Sequence, residues 1–327
     1  MNKIFKVIFN RATGKAVVVS ELTKAHGKAA SSTDERVGVS SLITTLQHQA
    51  KVALVLGLLG VSSVATAAIT EGTAGSSAVA IGSGSSASTK SVALGEQAIA
   101  GGSSKDQSVA IGQAAQANAA QAIAIGGDTR AEGYASISIG GDDANNTPYQ
   151  DLRYNATTGK VQNKGTESQY QKTTATGNAS VAIGVKSQAI TDGSLAVGVL
   201  ATAAGTESIS LGAMSASKGS RSIALGAGST AAGEQSIAQG DGSLATAEKT
   251  IAIGSNANAS SVNATAVGAE AKARGQNATS LGMNATALDD NTVAIGANAI
   301  VQNSGGVGGL AIGRYHKTQQ FLFHKCV

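Results

Sequence analysis

From Ser180 onward, large apolar and small residues alternate in a short word that returns at constant spacing. Val181-Ala-Ile-Gly184, Leu195-Ala-Val-Gly198, Ile209-Ser-Leu-Gly212 and Ile223-Ala-Leu-Gly226 are four successive copies. A period of two, rich in β-branched residues and closed by glycine, predicts a short strand that ends in a turn. The closing glycines Gly184, Gly198, Gly212, Gly226, Gly240, Gly254, Gly268, Gly282 and Gly296 stand fourteen residues apart without a slip. A fixed period of this length describes a stack of equivalent rungs, each completing its burial only against its neighbours.

A second alternation follows each glycine. Ser187 and Ala189, Ala201 and Ala203, and Ser215 and Ser217 are small, while the residues beside them vary. One rung is therefore expected to be two short strands joined by two turns. Earlier copies such as Val79-Ala-Ile-Gly82 and Ile137-Ser-Ile-Gly140, with a last one at Leu310-Ala-Ile-Gly313, bring the words to fifteen. At the spacing of neighbouring strands these would stack over roughly 65–70 Å.

The larger residues are expected inside: Val181, Ile183, Leu195, Val197, Ile209, Leu211, Ile223, Leu225, Ile251, Ile253, Val293 and Ile295 form the predicted roll core, against the small residues of the second strand. Ala182, Ala196, Ser210 and Ala224 are then expected outside, as a column of small residues that permits close approach of another backbone and association along that face. Ile237-Ala-Gln-Gly240 places Gln239 at an aliphatic position, where its amide is expected to weaken the core.

Composition narrows the function. The chain has 42 glycines, no tryptophan and 3% aromatic residues, so it has no ordinary core of large rings. At 42% apolar it has too much hydrophobic content for simple disorder. The net charge of +4 comes from the ends: residues 1–67 hold eight Lys/Arg against three Asp/Glu, and residues 68–313 hold thirteen against seventeen. A mildly acidic body without a basic stripe argues against nucleic-acid binding. Cys326 is the single cysteine, and His26, His48, His316 and His324 all lie outside the repeats. No catalytic constellation, cofactor site or metal site emerges, and the chain is not expected to be an enzyme. The Gly-Asp turns at Asp128 and Asp142, the Asn-Ala-Ser/Thr triplets and the pair Asp289-Asp290 are read as polar turns.

Lys51 precedes an apolar run, Val52-Ala-Leu-Val-Leu-Gly-Leu-Leu-Gly-Val61, that ends in small residues. Ala65-Thr66-Ala67 fits a signal-peptidase site, with Ala65, Ala67 and Ala68 as the cleavage residues. The fifty residues before the run, opening Met1-Asn-Lys-Ile-Phe-Lys-Val-Ile-Phe-Asn10, resemble the extended signal peptide region of large Gram-negative type V secretion proteins. Phe9 keeps that family's aromatic character and Ala16 does not. The segment is expected to be helical or disordered, and no membrane span is expected to remain after cleavage.

With the repeated Ser-Val-Ala-Ile-Gly word, the chain resembles the trimeric autotransporter adhesins with a YadA-like head, over residues 72–313. The resemblance implies an all-β, left-handed parallel β-roll wound into a homotrimer on the bacterial cell surface. It implies multivalent attachment to host cells or extracellular matrix, and autoaggregation with other bacterial heads. Competing readings are a passive structural spacer or non-functional fragment, a left-handed β-helix acyltransferase, and an ice-binding solenoid. Acyltransferases repeat every six residues and use a histidine, and ice-binding arrays need threonine columns; the body has neither.

The expected organisation is an extended signal peptide at 1–67, N-terminal rungs at 68–140, an insertion at 141–179, regular rungs at 180–313 and an atypical tail at 314–327. The insertion holds Pro148 and three of the five tyrosines. Insertions in stacked repeats map to loops that often bind, so Tyr149, Arg153, Tyr154 and Tyr170 are the candidate ligand contacts. The tail shows neither the heptads of the family's stalk nor the strands of its barrel anchor. Truncation is expected there, with a secreted or periplasmic location if it applies.

Overall fold

The computed structural model describes residues 5–10, 15–20 and 71–318, apart from 102–106, 156–159, 167, 169, 303–307, 315 and 316. They belong to two units, 1–69 and 70–327. In the first, Phe5–Asn10 pairs antiparallel with Lys15–Ser20, from Phe5 opposite Ser20 to Asn10 opposite Lys15. Helix or disorder was the expectation here, and extended strands are found. Val17-Val-Val19 is a β-branched run that favours extended backbone. The cleavage residues Ala65, Ala67 and Ala68 lie outside the described residues.

The second unit is a roll of two parallel sheets. One contains fifteen strands, from Val79–Ile81 to Gly309–Ile312, one for each apolar word. The other contains sixteen two-residue strands, from Thr73–Ala74 to Lys317–Thr318. Strands stack in chain order, and the fourteen-residue period sets the register: Val181 lies opposite Leu195, Ala182 opposite Ala196 and Ile183 opposite Val197. Where a rung is longer the register still holds, with Val92 opposite Val109 and Val293 opposite Leu310.

The facing of the first strand is the reverse of the predicted one. Ala182, Ala196, Ser210 and Ala224 have no exposed surface within the single chain. They therefore line the inside of the coil and form no trimer face. Val181, Ile183, Leu195, Val197, Ile209, Leu211, Ile223, Leu225, Ile251, Ile253, Val293 and Ile295 point outward, half-buried or exposed. The reason is space. The second strand also turns its small residues inward, with Ala189, Ala203 and Ser217 fully buried. Ser210 and Ser215 meet hydroxyl to hydroxyl at 2.7 Å across the rung. Two walls this close accept alanine or serine from each, and a valine or isoleucine would overpack them.

Many polar atoms inside are satisfied by the turns. The serine that opens the word donates to the corner carbonyl three residues back, at 2.6 Å for Ser180 to Gly177 and for Ser236 to Gly233. Thr250 donates to the Ala247 carbonyl in the same way. On the second strand Ser187 donates to the Gly184 carbonyl at 2.9 Å. These local bonds satisfy many of the interior hydroxyls at little cost, while those of Ser136, Ser222 and Ser280 are buried without a partner among the described residues.

Gly226 shows why the closing residue is glycine. Its φ is +123°, and a Cβ there would lie 2.7 Å from the Gly240 carbonyl oxygen of the next rung. Gly226→Ala should therefore cost about 1–3 kcal/mol from backbone strain, plus the displacement of that rung. Gly228, at φ +64° with open space around its missing Cβ, should cost only about 1 kcal/mol as alanine. Thermal unfolding of the two variants checks the order; equal losses would contradict the stacked-glycine account.

Candidate functional site

Among the described residues, the outer face of the fifteen-stranded sheet carries a long run of exposed and half-buried aliphatic side chains. Each word sends its first and third residues outward, so aliphatic side chains stack in two columns from Val79 and Ile81 to Leu310 and Ile312. Ile183 is 36% exposed, Leu281 46% and Ile312 58%. A continuous apolar face over this many rungs exceeds the patches of a few hundred Å² usual on monomers. Three residues interrupt it: Gln239, Thr265 and Thr279. Gln239 is exposed, so its amide lies on this outer face and not in the core as expected.

The opposite sheet turns outward a mixed row, including Gln188, Thr230, Leu244, Asn258 and Lys272. These are half-buried. Thr202 and Ala216, in the same row, are buried, as are the corner residues Lys186 and Leu200.

The insertion accounts for one of those buried positions, Lys186. It leaves the roll after Gly141 and contains a hairpin, Leu152–Asn155 paired with Lys160–Asn163. Lys186 Nζ donates to the carbonyls of Gln150 and Leu152, both at 3.1 Å. Burial holds the Lys186 ammonium below its ordinary pKa, and Asp143, Asp142 and Asp151 oppose that fall. Two rungs on, burial and then the nearby Lys160 lower the pKa of Lys218. At the base, Lys172 Nζ meets Asp128 Oδ1 at 2.8 Å. The Asp142 carboxyl is raised, first by burial and then by Asp128. The roll resumes with Thr174–Ala175, which pairs with Arg130–Ala131 and Gln188–Ala189. The expected insertion boundary at 179 is therefore too late, because residues 173–179 already belong to a rung.

The four candidate contacts separate on inspection. Tyr154 is buried, and burial raises its hydroxyl pKa. Its backbone is clamped by Gln171, which accepts from the Tyr154 amide at 2.7 Å and donates to its carbonyl at 2.9 Å. It is a packing residue, contrary to the expectation. Tyr170 is 52% exposed. Tyr149 and Arg153 are half-buried, and Arg153 donates to the Ser168 carbonyl at 3.4 Å. Lys186, which sequence reasoning missed, is the roll residue that bonds to the backbone of the insertion at Gln150 and Leu152. Nothing in the linear pattern separates it from the exposed charges at equivalent corners. Among the described residues no group of three His, Cys, Asp or Glu is placed to hold a metal ion.

Two family models match the chain. One, described as the YadA head domain repeat in two copies, matches in nine stretches, most of them overlapping, that together span 103–142, 175–271 and 273–299. The gap from 143 to 174 coincides with the insertion. The other, the Extended Signal Peptide of Type V secretion system, matches residues 1–49. No curated protein matches.

Lys186→Met should release the insertion and leave the roll intact. Amide exchange at Tyr154 and Lys164, which are bonded within the insertion, should accelerate by about tenfold or more for a loss of 1–2 kcal/mol. Exchange at Ile209, bonded between rungs, should stay unchanged. Unaltered exchange at Tyr154 would contradict the clasp.

Proposed function

The chain belongs to the trimeric autotransporter adhesins with a YadA-like head, and from that membership we propose that three copies close on their outward aliphatic columns to form a surface adhesin head. The head attaches multivalently to host cells or extracellular matrix, and to other bacterial heads in autoaggregation. It has no enzymatic role and needs no cofactor. Export through the extended signal peptide takes it to the cell surface.

One observation carries the trimer: the interior of the roll is full with alanine and serine, so the largest apolar side chains remain outside. Burying one Val, Leu or Ile contributes about 1.5–3 kcal/mol. A handful of rungs then offsets an association cost of about 4–15 kcal/mol, and this face has fifteen. The trimer contact replaces the Ala182, Ala196, Ser210 and Ala224 column with Val181, Ile183 and their equivalents.

Adhesion is assigned to what the trimer leaves exposed. The outward row of the second sheet repeats at every rung with changing side chains, which favours many weak sites and avidity over one deep pocket. The insertion supplies one distinct local surface through Tyr170 and its lysines.

The two faces of one strand give opposite mutational outcomes. Ile223→Glu with Ile251→Glu should yield a folded chain that sediments as a monomer in place of a trimer. Ala224→Glu, inside the coil, should unfold local rungs through a buried charge. Circular dichroism with sedimentation checks both; a trimer that survives the paired glutamates would contradict the proposed contact.

For adhesion, removing residues 142–171 shortens the forty-four-residue step between Ile137 and Val181 to fourteen and leaves a regular rung. Displayed on a relative's anchor, the shortened head should still bind cells or matrix. Complete loss with the trimer intact assigns binding to the insertion, and a head that binds nothing in either form is a spacer.

A further inference from the structure

An interface built from identical rungs has a weakness: it looks the same after a shift of one rung. Val181 and Ile183, Leu195 and Val197, and Ile209 and Leu211 present nearly equivalent pairs. Chains offset by one rung, about 4.8 Å, lose contact only at their ends and match everywhere between. Such an offset also turns a closed rotation into an open screw. Register in a repetitive apolar pairing is weakly specified unless some position differs.

Gln239 is the position that differs most. It stands in the exposed column between Leu225 and Ile253. Its side-chain amide has no hydrogen-bond partner among the described residues of its own chain. Thr265 and Thr279 are also polar, but they are short and carry a methyl group. We propose that Gln239 is the register key of the assembly, and that its partner is the Gln239 amide of the other copies. When the chains are level, three glutamine amides meet at one height, each able to donate and accept. When one chain slips by a rung, its amide faces Leu225 or Ile253 of a neighbour and loses those partners. The key thus trades stability for one alignment, as a single buried polar side chain does in a coiled-coil seam. This inference rests on the proposed trimer contact.

The test is photo-cross-linking of the full chain with a benzophenone side chain at position 281, the adducts mapped by peptide mass spectrometry. With Gln239 in place, adducts should concentrate on the partner's own 279–283 rung. In Gln239→Ile, adducts displaced by fourteen residues, near 265–269 and 293–297, should rise roughly tenfold, the factor set by one unmet buried amide. Gln239→Ile should also raise the melting temperature. A second variant, Gln239→Ile with Ile253→Gln, moves the key by one rung. It should restore level adducts when expressed alone and favour displaced adducts when mixed with the unaltered chain. An unchanged adduct pattern in both variants, with the trimer intact, overturns the register key alone. A monomer without intermolecular adducts overturns the trimer contact and the key together.

Discussion

The interior of each rung is filled from both walls by alanine and serine, and that narrowness governs the rest of the molecule. The small residues permit the two sheets to approach until Ser210 and Ser215 touch. The approach in turn requires corners too tight for ordinary backbone, so the closing glycines other than Gly140 take φ between +115° and +136°, and most lie against the closing glycine of the next rung. Hydroxyls that precede many of the strands, such as Ser180, Ser187 and Ser236, then bond to corner carbonyls. None of these features stands alone, because enlarging any one side chain moves the whole rung.

The same constraint creates the surface. A core of alanine buries little area per residue, so the aliphatic side chains that would fill an ordinary interior are left on the outside of one sheet. A single chain thereby carries a full core and an unspent apolar face at once. The proposed function follows from this division: one sheet closes the assembly, the other faces outward with a variable row, and the insertion is held to a corner by Lys186. Function is placed on surfaces, and the interior serves only to keep rungs identical.

How much of this was legible in the sequence depended on whether the feature repeats. The fourteen-residue period predicted the parallel stack, the strand positions and the glycine turns, since each recurs in every word. Facing was not legible from alternation: Val181-Ala-Ile183 has period two in either orientation, and only the distance between the walls decides which set turns in. Sequence logic assumed that larger residues go inside, which fails when a second wall of small residues has already set the gap. The buried state of Tyr154 and the clasp by Lys186 were not legible either, because each rests on contacts made once, seventeen residues apart for Gln171 and Tyr154 and more than thirty for Lys186. Nothing periodic announces them.

The central claim is that alanine lies within the coil while the adjacent aliphatic residues lie on its outer face. It is tested most directly by alkylating single cysteines at neighbouring positions, Ala224→Cys and Leu225→Cys, in a Cys326→Ser background. Both should resist the reagent in the assembled protein. When Ile209→Glu and Ile251→Glu are added to separate the chains without unfolding them, Leu225→Cys should react at a rate near that of a free thiol while Ala224→Cys stays protected. Rapid reaction at position 224 with protection at 225 would reverse the facing and contradict the account.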